Sequence, residues 1–553
     1  MVCLSKKKKN GKYYYYLEER AWINGKSTRL WQKYIGPEDK LREMKITLSP
    51  QKLEYKMMKF GTSAALLQIA KKIGLIEIID EITGKKRQQN LSLGEYMLIN
   101  VINRCIAPSS KTQLGKWFEQ DYLSTVFEVE PEVLNAQTYW NHYQRLTEDN
   151  IANIETRLIE KVINTYKLDL SCLLFDPTNF YTFIEDHGEE QLANFGHSKE
   201  KRDNLRIINL SILCTLQFGV PVFHQTYEGN IQDAQHFKSV LNTITNRFQQ
   251  MKQEIKEIVL IFDKGNHSPK AFKSIDDVSV PFIASLRNST QKALLTTPED
   301  NLTIIMLPKN GKKVGYYRTE RTIYSHDRTV YLLHDFQKQK RATHIFNANL
   351  EKRLLAIEQF QTKLNVKKWR SKEKVEIKLK QLIGKKPYSK VLFPEVTGTF
   401  GKLKVTIRIN EAVKAAHLST LGRSVIFTSQ SDWEPVAIIQ AFRDKYVVED
   451  TFKQLKNPKF LAIRPMYHWA DTCIRAHVFS CVLGLLLLSL VRLELSLKKV
   501  SLSYKQILTS LSELSLTQIY TSSTGPPFFK LNRHSDQSKQ LFKLLKLKLF
   551  LPE

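Results

Sequence analysis

Apolar and polar residues alternate with different periods along this 553-residue chain. Residues 12–17 and 27–35 are aromatic-rich alternating runs with Asn24-Gly25 between them, which predicts a hairpin in a small β unit over 1–50. Between 60 and 165, apolar positions recur every three or four residues over 64–79, 93–102 and 151–163, the mark of a helical domain. From 168 to 300 the period shortens. Runs at 170–176, 205–216, 220–227, 258–263 and 281–286 read as strands, with a helix over 234–255 among them. Three hairpin-connected strands, a helix and then a parallel strand predict an α/β core resembling a ribonuclease-H-like fold.

The segment 301–430 reads as a β-rich, basic insertion, with strands at 312–319, 322–324, 328–334 and 402–409 around a helical stretch over 348–383. Residues 431–500 return to helix, over 435–455 and 469–497, and close the core. A basic tail fills 501–553, ending in Lys539, Lys543, Lys546 and Lys548. The most lipid-like run, 478–491, is 14 residues long, short of the ~20 that span a bilayer, and predicts a buried helix.

Charge narrows the partner. Lys and Arg number 84 against 55 Asp and Glu, a net +29 with pI about 9.6, which points to a polyanion. Between 352 and 404 there are 15 basic and 4 acidic residues, an excess that repels itself unless a polyanion compensates it. The tyrosines 13–16 among lysines can stack on bases or pack on a neighbouring domain. Six scattered cysteines form no Cys-x-x-Cys pair, and Lys6–Lys9 lead into tyrosines, with no signal-peptide core. Both features predict a reduced, cytoplasmic protein without a zinc site or membrane anchor; the net charge places it with the nucleoid, and the phosphodiester chemistry below needs no organic cofactor.

Two acids follow apolar runs: Asp176 after Leu173-Leu174-Phe175, and Asp263 after Ile258 to Phe262. Glu449 lies in a charged helical stretch, with Lys456 seven residues on. Two strand-end aspartates and a helical glutamate form an all-oxygen donor set suited to Mg²⁺, with Mn²⁺ able to substitute. In so basic a chain the matching substrate is a phosphodiester, and two ions per site would serve its cleavage. His197, Ser198, Lys199 and Arg202 form a polar turn that could contact DNA or position the metal site, or could be ordinary turn chemistry alone. Asp233 reads either as a further ligand or as part of a helix N-terminus. His477, on an apolar helix, reads as a satisfied buried histidine.

Several blocks, in order, carry a resemblance. They are Phe175-Asp176-Pro177-Thr178-Asn179-Phe180-Tyr181, then Gly196-His197-Ser198-Lys199-Glu200-Lys201-Arg202, then Tyr227-Glu228-Gly229-Asn230 with Asp233. Phe262-Asp263-Lys264-Gly265-Asn266 follows, then Phe442 through Lys456, and finally Arg464 through Trp469 with His477. Together they resemble the DDE transposases of insertion sequences, specifically insertion sequence family four and its sixteen-thirty-four branch. The resemblance implies the triad Asp176, Asp263 and Glu449. It also implies that the 185 residues between the second and third acids contain an insertion. The family's third-acid motif, Tyr-x2-Arg-x3-Glu-x6-Lys, meets Phe442 and Lys445 at its first two positions, and Glu449 and Lys456 match. Positions 442, 445, 449 and 456 are spaced to share one helix face. Arg443, Lys445, Tyr446 and Lys456, with Lys199 and Arg202, are the expected DNA contacts. The function implied is metal-dependent cleavage at the element's terminal inverted repeats and strand transfer into target DNA, by a homodimer on paired ends. Two rivals stand beside it: a decayed copy that only binds DNA and represses transposition, and a metal-dependent nuclease that cuts without joining.

Overall fold

The computed structural model describes every residue except 1, 24, 39, 41–53, 85–89, 185–191, 521–526, 533 and 553. The chain forms two compact units, one of residues 1–64, 118–128 and 505–553, the other of 65–117 and 129–504.

The first unit contains an antiparallel sheet of β1 (Val2–Lys9), β2 (Lys12–Ile23) and β3 (Lys26–Pro37). Asn24 lies outside the described residues, but Ile23 pairs with Lys26 across the expected hairpin. β1 was not expected. It joins β2 through Asn10-Gly11, both at positive φ (52° and 77°), the backbone that two-residue hairpins require. Tyr13 is exposed and Tyr14, Tyr15 and Tyr16 are half-buried, with Lys6 over the rings of Tyr13 and Tyr15 and Lys7 over that of Tyr16. β4 (Glu54–Lys59) belongs to a second sheet of this unit, completed by strands of the tail.

The second unit is built on one nine-stranded sheet. Its strands are β5 (Cys172–Tyr181), β6 (Ile207–Thr215), β7 (Pro221–Glu228), β8 (Val259–Phe262), β9 (Phe282–Ser285), β10 (Thr303–Met306), β11 (Lys313–Ile323) and β12 (His326–His334), with a ninth given below. β5, β6 and β7 form an antiparallel meander, and β8 and β9 run parallel to β5 on its other side. Strands buried on both faces read as unbroken apolar runs, which is why 170–176 and 258–263 were legible. Phe175 and Phe262 both pack against Phe237 of the helix Asp233–Gln250.

The segment expected as a β-rich insertion divides. β10, β11, β12 and a returning strand extend the nine-stranded sheet itself. The body between them is mainly helical: Phe336–Gln361, Lys372–Ile383 and Glu411–Thr420, with one hairpin of β13 (Leu392–Thr397) and β14 (Lys404–Ile409). Phe346, Leu350, Ile357, Val375, Leu379 and Val405 share its separate apolar core. β15 (Arg423–Thr428) then re-enters the sheet between β12 and β9, giving the order β10-β11-β12-β15-β9-β8-β5-β6-β7.

Helices after β15 cover the sheet. The expected single helix over 435–455 is two, Pro435–Arg443 and Tyr446–Leu455. Tight i to i+3 hydrogen bonds from Lys445, Val447 and Val448 make the joint. The helix Asp471–Leu497 is long and apolar enough to cross a membrane by composition, yet is almost wholly buried inside this unit. The tail supplies β16 (Ser515–Tyr520) and β17 (Phe528–Leu531) to the first unit, in the order β17-β16-β4.

Candidate active site

The register of two parallel strands sets the centre of the site. Leu174 pairs with Ile261 across β5 and β8, so two residues further on Asp176 lies level with Asp263. Neighbouring strands are ~4.8 Å apart, so the two carboxylates are side by side at the carboxyl end of β8, where open α/β sheets bind ligands. β5 itself continues to Tyr181, carrying Pro177 within a strand. The proline fits because β8 has already ended. The Pro177 carbonyl faces away from β6 and accepts a hydrogen bond from Lys199 Nζ at 2.6 Å, on the side where its missing N–H has no strand to meet.

The two aspartates have different surroundings. Burial pushes the Asp176 carboxyl up to about 7; Lys199 opposes this, Asp263 and Asp233 reinforce it, and Lys445 opposes it. Burial acts on Asp263 as well, but is outweighed by the Ser285 hydroxyl hydrogen bond, by Lys445 and by the Lys264 N–H, so its carboxyl is held below the usual carboxylate range. Ser285 Oγ and the Lys264 N–H (2.9 Å) both donate to Asp263 Oδ1, and Lys445 Nζ is 3.6 Å from Oδ2.

The polar turn before β6 is docked on β5. Asn179 Nδ2 donates to the His197 carbonyl at 2.9 Å, and its Oδ1 accepts the Lys199 N–H at 3.1 Å. Buried Ser198 accepts the N–H groups of Glu200 and Arg202 through its hydroxyl. Lys199 Nζ also pairs with Asp233 Oδ2 at 3.2 Å. Asp233 is the first residue of its helix, but its side chain caps nothing; it accepts the Tyr227 hydroxyl at 3.2 Å instead.

Glu449 is exposed in the first turn of Tyr446–Leu455, a helix that packs on β5 and buries Val448, Thr451, Phe452 and Leu455. Among the described residues, no three His, Cys, Asp or Glu side chains are grouped closely enough to hold a metal ion. The shared-face reading of 442, 445, 449 and 456 fails at the joint: Phe442 is buried while Glu449 is exposed.

The expected DNA contacts divide. Lys445 reaches Asp263 and lies 5.1 Å over the Phe442 ring. Tyr446 is exposed, with Lys309 over its ring. Arg443 forms an ion pair with Asp335, which also takes Lys312 and caps Phe336–Gln361. Arg202 is exposed beside the Tyr181 ring. Lys456 is half-buried, 3.3 Å from Glu200 and over Phe180. His477 is buried with Nε2 bonded to the Ile463 carbonyl at 2.9 Å, while its Nδ1 has no hydrogen-bond partner among the described residues, so the expected buried histidine is satisfied at one nitrogen only. Sequence reasoning missed Ser285, Glu200 and Asp335 as partners of these groups. Of the three, only Ser285 carried a signal, by its place in the apolar run 281–286.

No curated protein matches the chain. Among solved structures, the cryo-EM structure of a piggyBac transposase synaptic complex with hairpin DNA aligns with a TM-score of 0.37 and 8% identity, over 81% of this chain and 79% of that one. That likeness is too remote to bear on the argument. The transposase DDE domain family, by contrast, matches residues 167–465, which hold both aspartates, Glu449 and the helical body between them. With more than half of its length inside that match, the chain belongs to the transposase DDE domain family.

Proposed function

We propose that this protein is the transposase of an insertion sequence, of family four and its sixteen-thirty-four branch. It cuts DNA at the terminal inverted repeats of its own element and joins the 3′ ends to target DNA. The observation that carries the reading is the β5–β8 register, which sets Asp176 and Asp263 side by side at the end of the sheet. The succession β7-β6-β5-β8-β9, a meander followed by two parallel strands, supports a ribonuclease-H-like core.

The donors fit a hard divalent ion: they are carboxylate oxygens, one fixed by Ser285 and the Lys264 N–H. Asp176 and Asp263 would hold Mg²⁺ or Mn²⁺, with Glu449 as the third ligand in the two-ion site of the proposal. When bound, such ions activate the attacking oxygen and stabilise the leaving one. Lys199 and Lys445 balance the carboxylates before the ions bind, and Lys456 grips backbone phosphate near the cut. The working form is a dimer on two paired ends, in the cytoplasm with the nucleoid.

A second reading, a copy that binds its ends without cutting them, is favoured by one observation: Glu449 is exposed, and among the described residues the three acids form no group that could hold a metal ion. One assay separates the two. Purified protein with Mg²⁺ and a labelled duplex carrying the ends that flank its gene should nick at one position, and Asp263→Ala should abolish nicking while leaving end binding within about twofold. Specific binding without nicking, in Mg²⁺ and in Mn²⁺, would establish the second reading.

A further inference from the structure

Glu200 holds two cations beside the aspartates. Its Oε2 accepts a hydrogen bond from Arg464 Nη1 at 2.5 Å, and its Oε1 lies 3.3 Å from Lys456 Nζ. Oε1 is sealed from solvent, so its contact with Lys456 is made away from water. The surroundings are otherwise cationic. Burial lowers the affinity of Lys456 for its proton, Arg464 and Lys199 add to this, and Glu200 opposes it. Arg464 and Arg202 both lie against the Tyr181 ring, with guanidinium carbons 4.4 Å and 5.7 Å from its centroid. Lys199, which acts on Lys456, is also the cation nearest in effect to Asp176.

A carboxylate spanning a guanidinium and an ammonium makes the same contacts as two oxygens of a phosphodiester. The turn that carries Glu200 is held by Asn179 and Ser198, so the carboxylate is presented by a fixed frame. We infer that Lys456 and Arg464 form a backbone-phosphate site adjoining Asp176, and that Glu200 occupies it as a phosphate mimic which DNA must displace. The inference deepens the transposase reading and rests on it. It assigns Arg464 as a second phosphate contact and Glu200 as a positioning residue that keeps both cations aligned and lowers affinity for DNA until the right duplex is seated.

The test is equilibrium binding of full-length protein to the labelled end duplex without divalent metal, over a series of salt concentrations. Glu200→Gln should tighten binding at least threefold and steepen the slope of log K against log salt by about 0.9, one counterion's worth. Asp203→Asn, in the same turn and exposed, makes the same change in net charge and should leave the affinity nearly unchanged. Equal effects of the two variants, or no gain from Glu200→Gln, would overturn the inference. Should Glu200→Gln not fold, Glu200→Asp keeps the charge on a side chain one methylene shorter. A smaller gain in affinity then supports the mimic, and no gain or a loss refutes it. If the wild type shows no preference for its own ends, the transposase reading falls. The mimic is still decided, on random-sequence duplex, because phosphate contacts carry no sequence information.

Discussion

Glu155 makes the test case for separating architecture from chemistry in this fold. It lies in the helix Glu148–Tyr166, and its two oxygens pair with His224 of β7 and with Arg247 of Asp233–Gln250. His224 is stacked on Phe479 of the long buried helix, with ring centroids 5.5 Å apart and planes within 6°. One carboxylate thus ties together three elements, against a fourth. Burial would raise its pKa, but His224 and Arg247 outweigh that and hold it below the usual range. A glutamate–histidine pair invites a catalytic reading. Against it, Glu155 and His224 are each at most 5% exposed, and β6 lies between β7 and the strand of Asp176.

Glu155→Gln leaves Arg247, whose side chain is only 13% exposed, without its counter-charge, and breaking a pair with a buried carboxylate costs about 3 kcal/mol or more, up to about 5 kcal/mol. For a cooperative unit of about 430 residues, unfolding entropy near 2.1 cal/mol/K per residue makes this a fall of about 3–5 °C in thermal midpoint. Calorimetry of the full chain measures it, and end nicking at 20 °C should be unchanged. A midpoint shift under about 1 °C would refute the energetic argument. Nicking lost at 20 °C in a folded variant would refute the architectural one.

Other outcomes follow from the same contacts. Ser285→Ala removes a hydrogen bond to a carboxylate that is 43% exposed, so the loss should be about 1 kcal/mol after discounting for solvent, read as about fivefold more Mg²⁺ for half-maximal nicking. Gly229→Ala would put a Cβ 2.0 Å from the Ile207 carbonyl oxygen and should lower the midpoint by about 3 °C or more. Gly265→Ala, whose Cβ meets nothing nearer than 3.9 Å, should be close to neutral in the same scan. Burial holds His236 and His267 down to about 4, below the ~6.5 of an unfolded histidine, so the unfolded chain takes up protons that the folded chain refuses. Their contribution to stability is complete above pH 6.5 and is lost as pH falls towards 4. At pH 5.5 each should cost about 1.4 kcal/mol, and His236→Asn should remove its share from a midpoint-against-pH curve.

Legibility in the sequence followed burial. β5 through β9 were readable because strands covered on both faces are continuous apolar runs, and their ends marked Asp176 and Asp263. β1 is hard to read because Lys6–Lys9, an unbroken run of lysines, gives it no apolar alternation. The signal that defines the strand, Asn10-Gly11, was a turn dipeptide of the kind noted only at Asn24-Gly25. The inserted body reads as β-rich because its strands are locally clear, while nothing local distinguishes a strand that founds a new sheet from one that extends an existing sheet. Glu200 and Asp335 were unreadable as partners. Their contacts, with Arg464 and Arg443, lie 264 and 108 residues away in the chain.

The same distinction separates Asp176 and Asp263 from Glu449, the third acid of the proposed site. Asp176 and Asp263 are set by strand pairing, in which a slip of one residue would turn every side chain to the other face of the sheet, so their alignment is fixed by the whole apolar core. Glu449 is set by a helix whose seat depends on the joint at Asp444 and Lys445. Charge holds that joint in place: Lys309 and Gln440 bind Asp444, Arg443 and Lys312 share Asp335, and Lys445 reaches Asp263. Asp335 is also the cap of the first helix of the inserted body, so that body and the helix before the joint, Pro435–Arg443, are anchored on one carboxylate. The Lys445–Asp263 pair then links the joint to the one aspartate that is held charged. On the proposed function, polyanionic DNA and divalent ions would compete for the charged partners among these, so binding of either should act first on the contacts at the joint and leave the strand register of the two aspartates untouched.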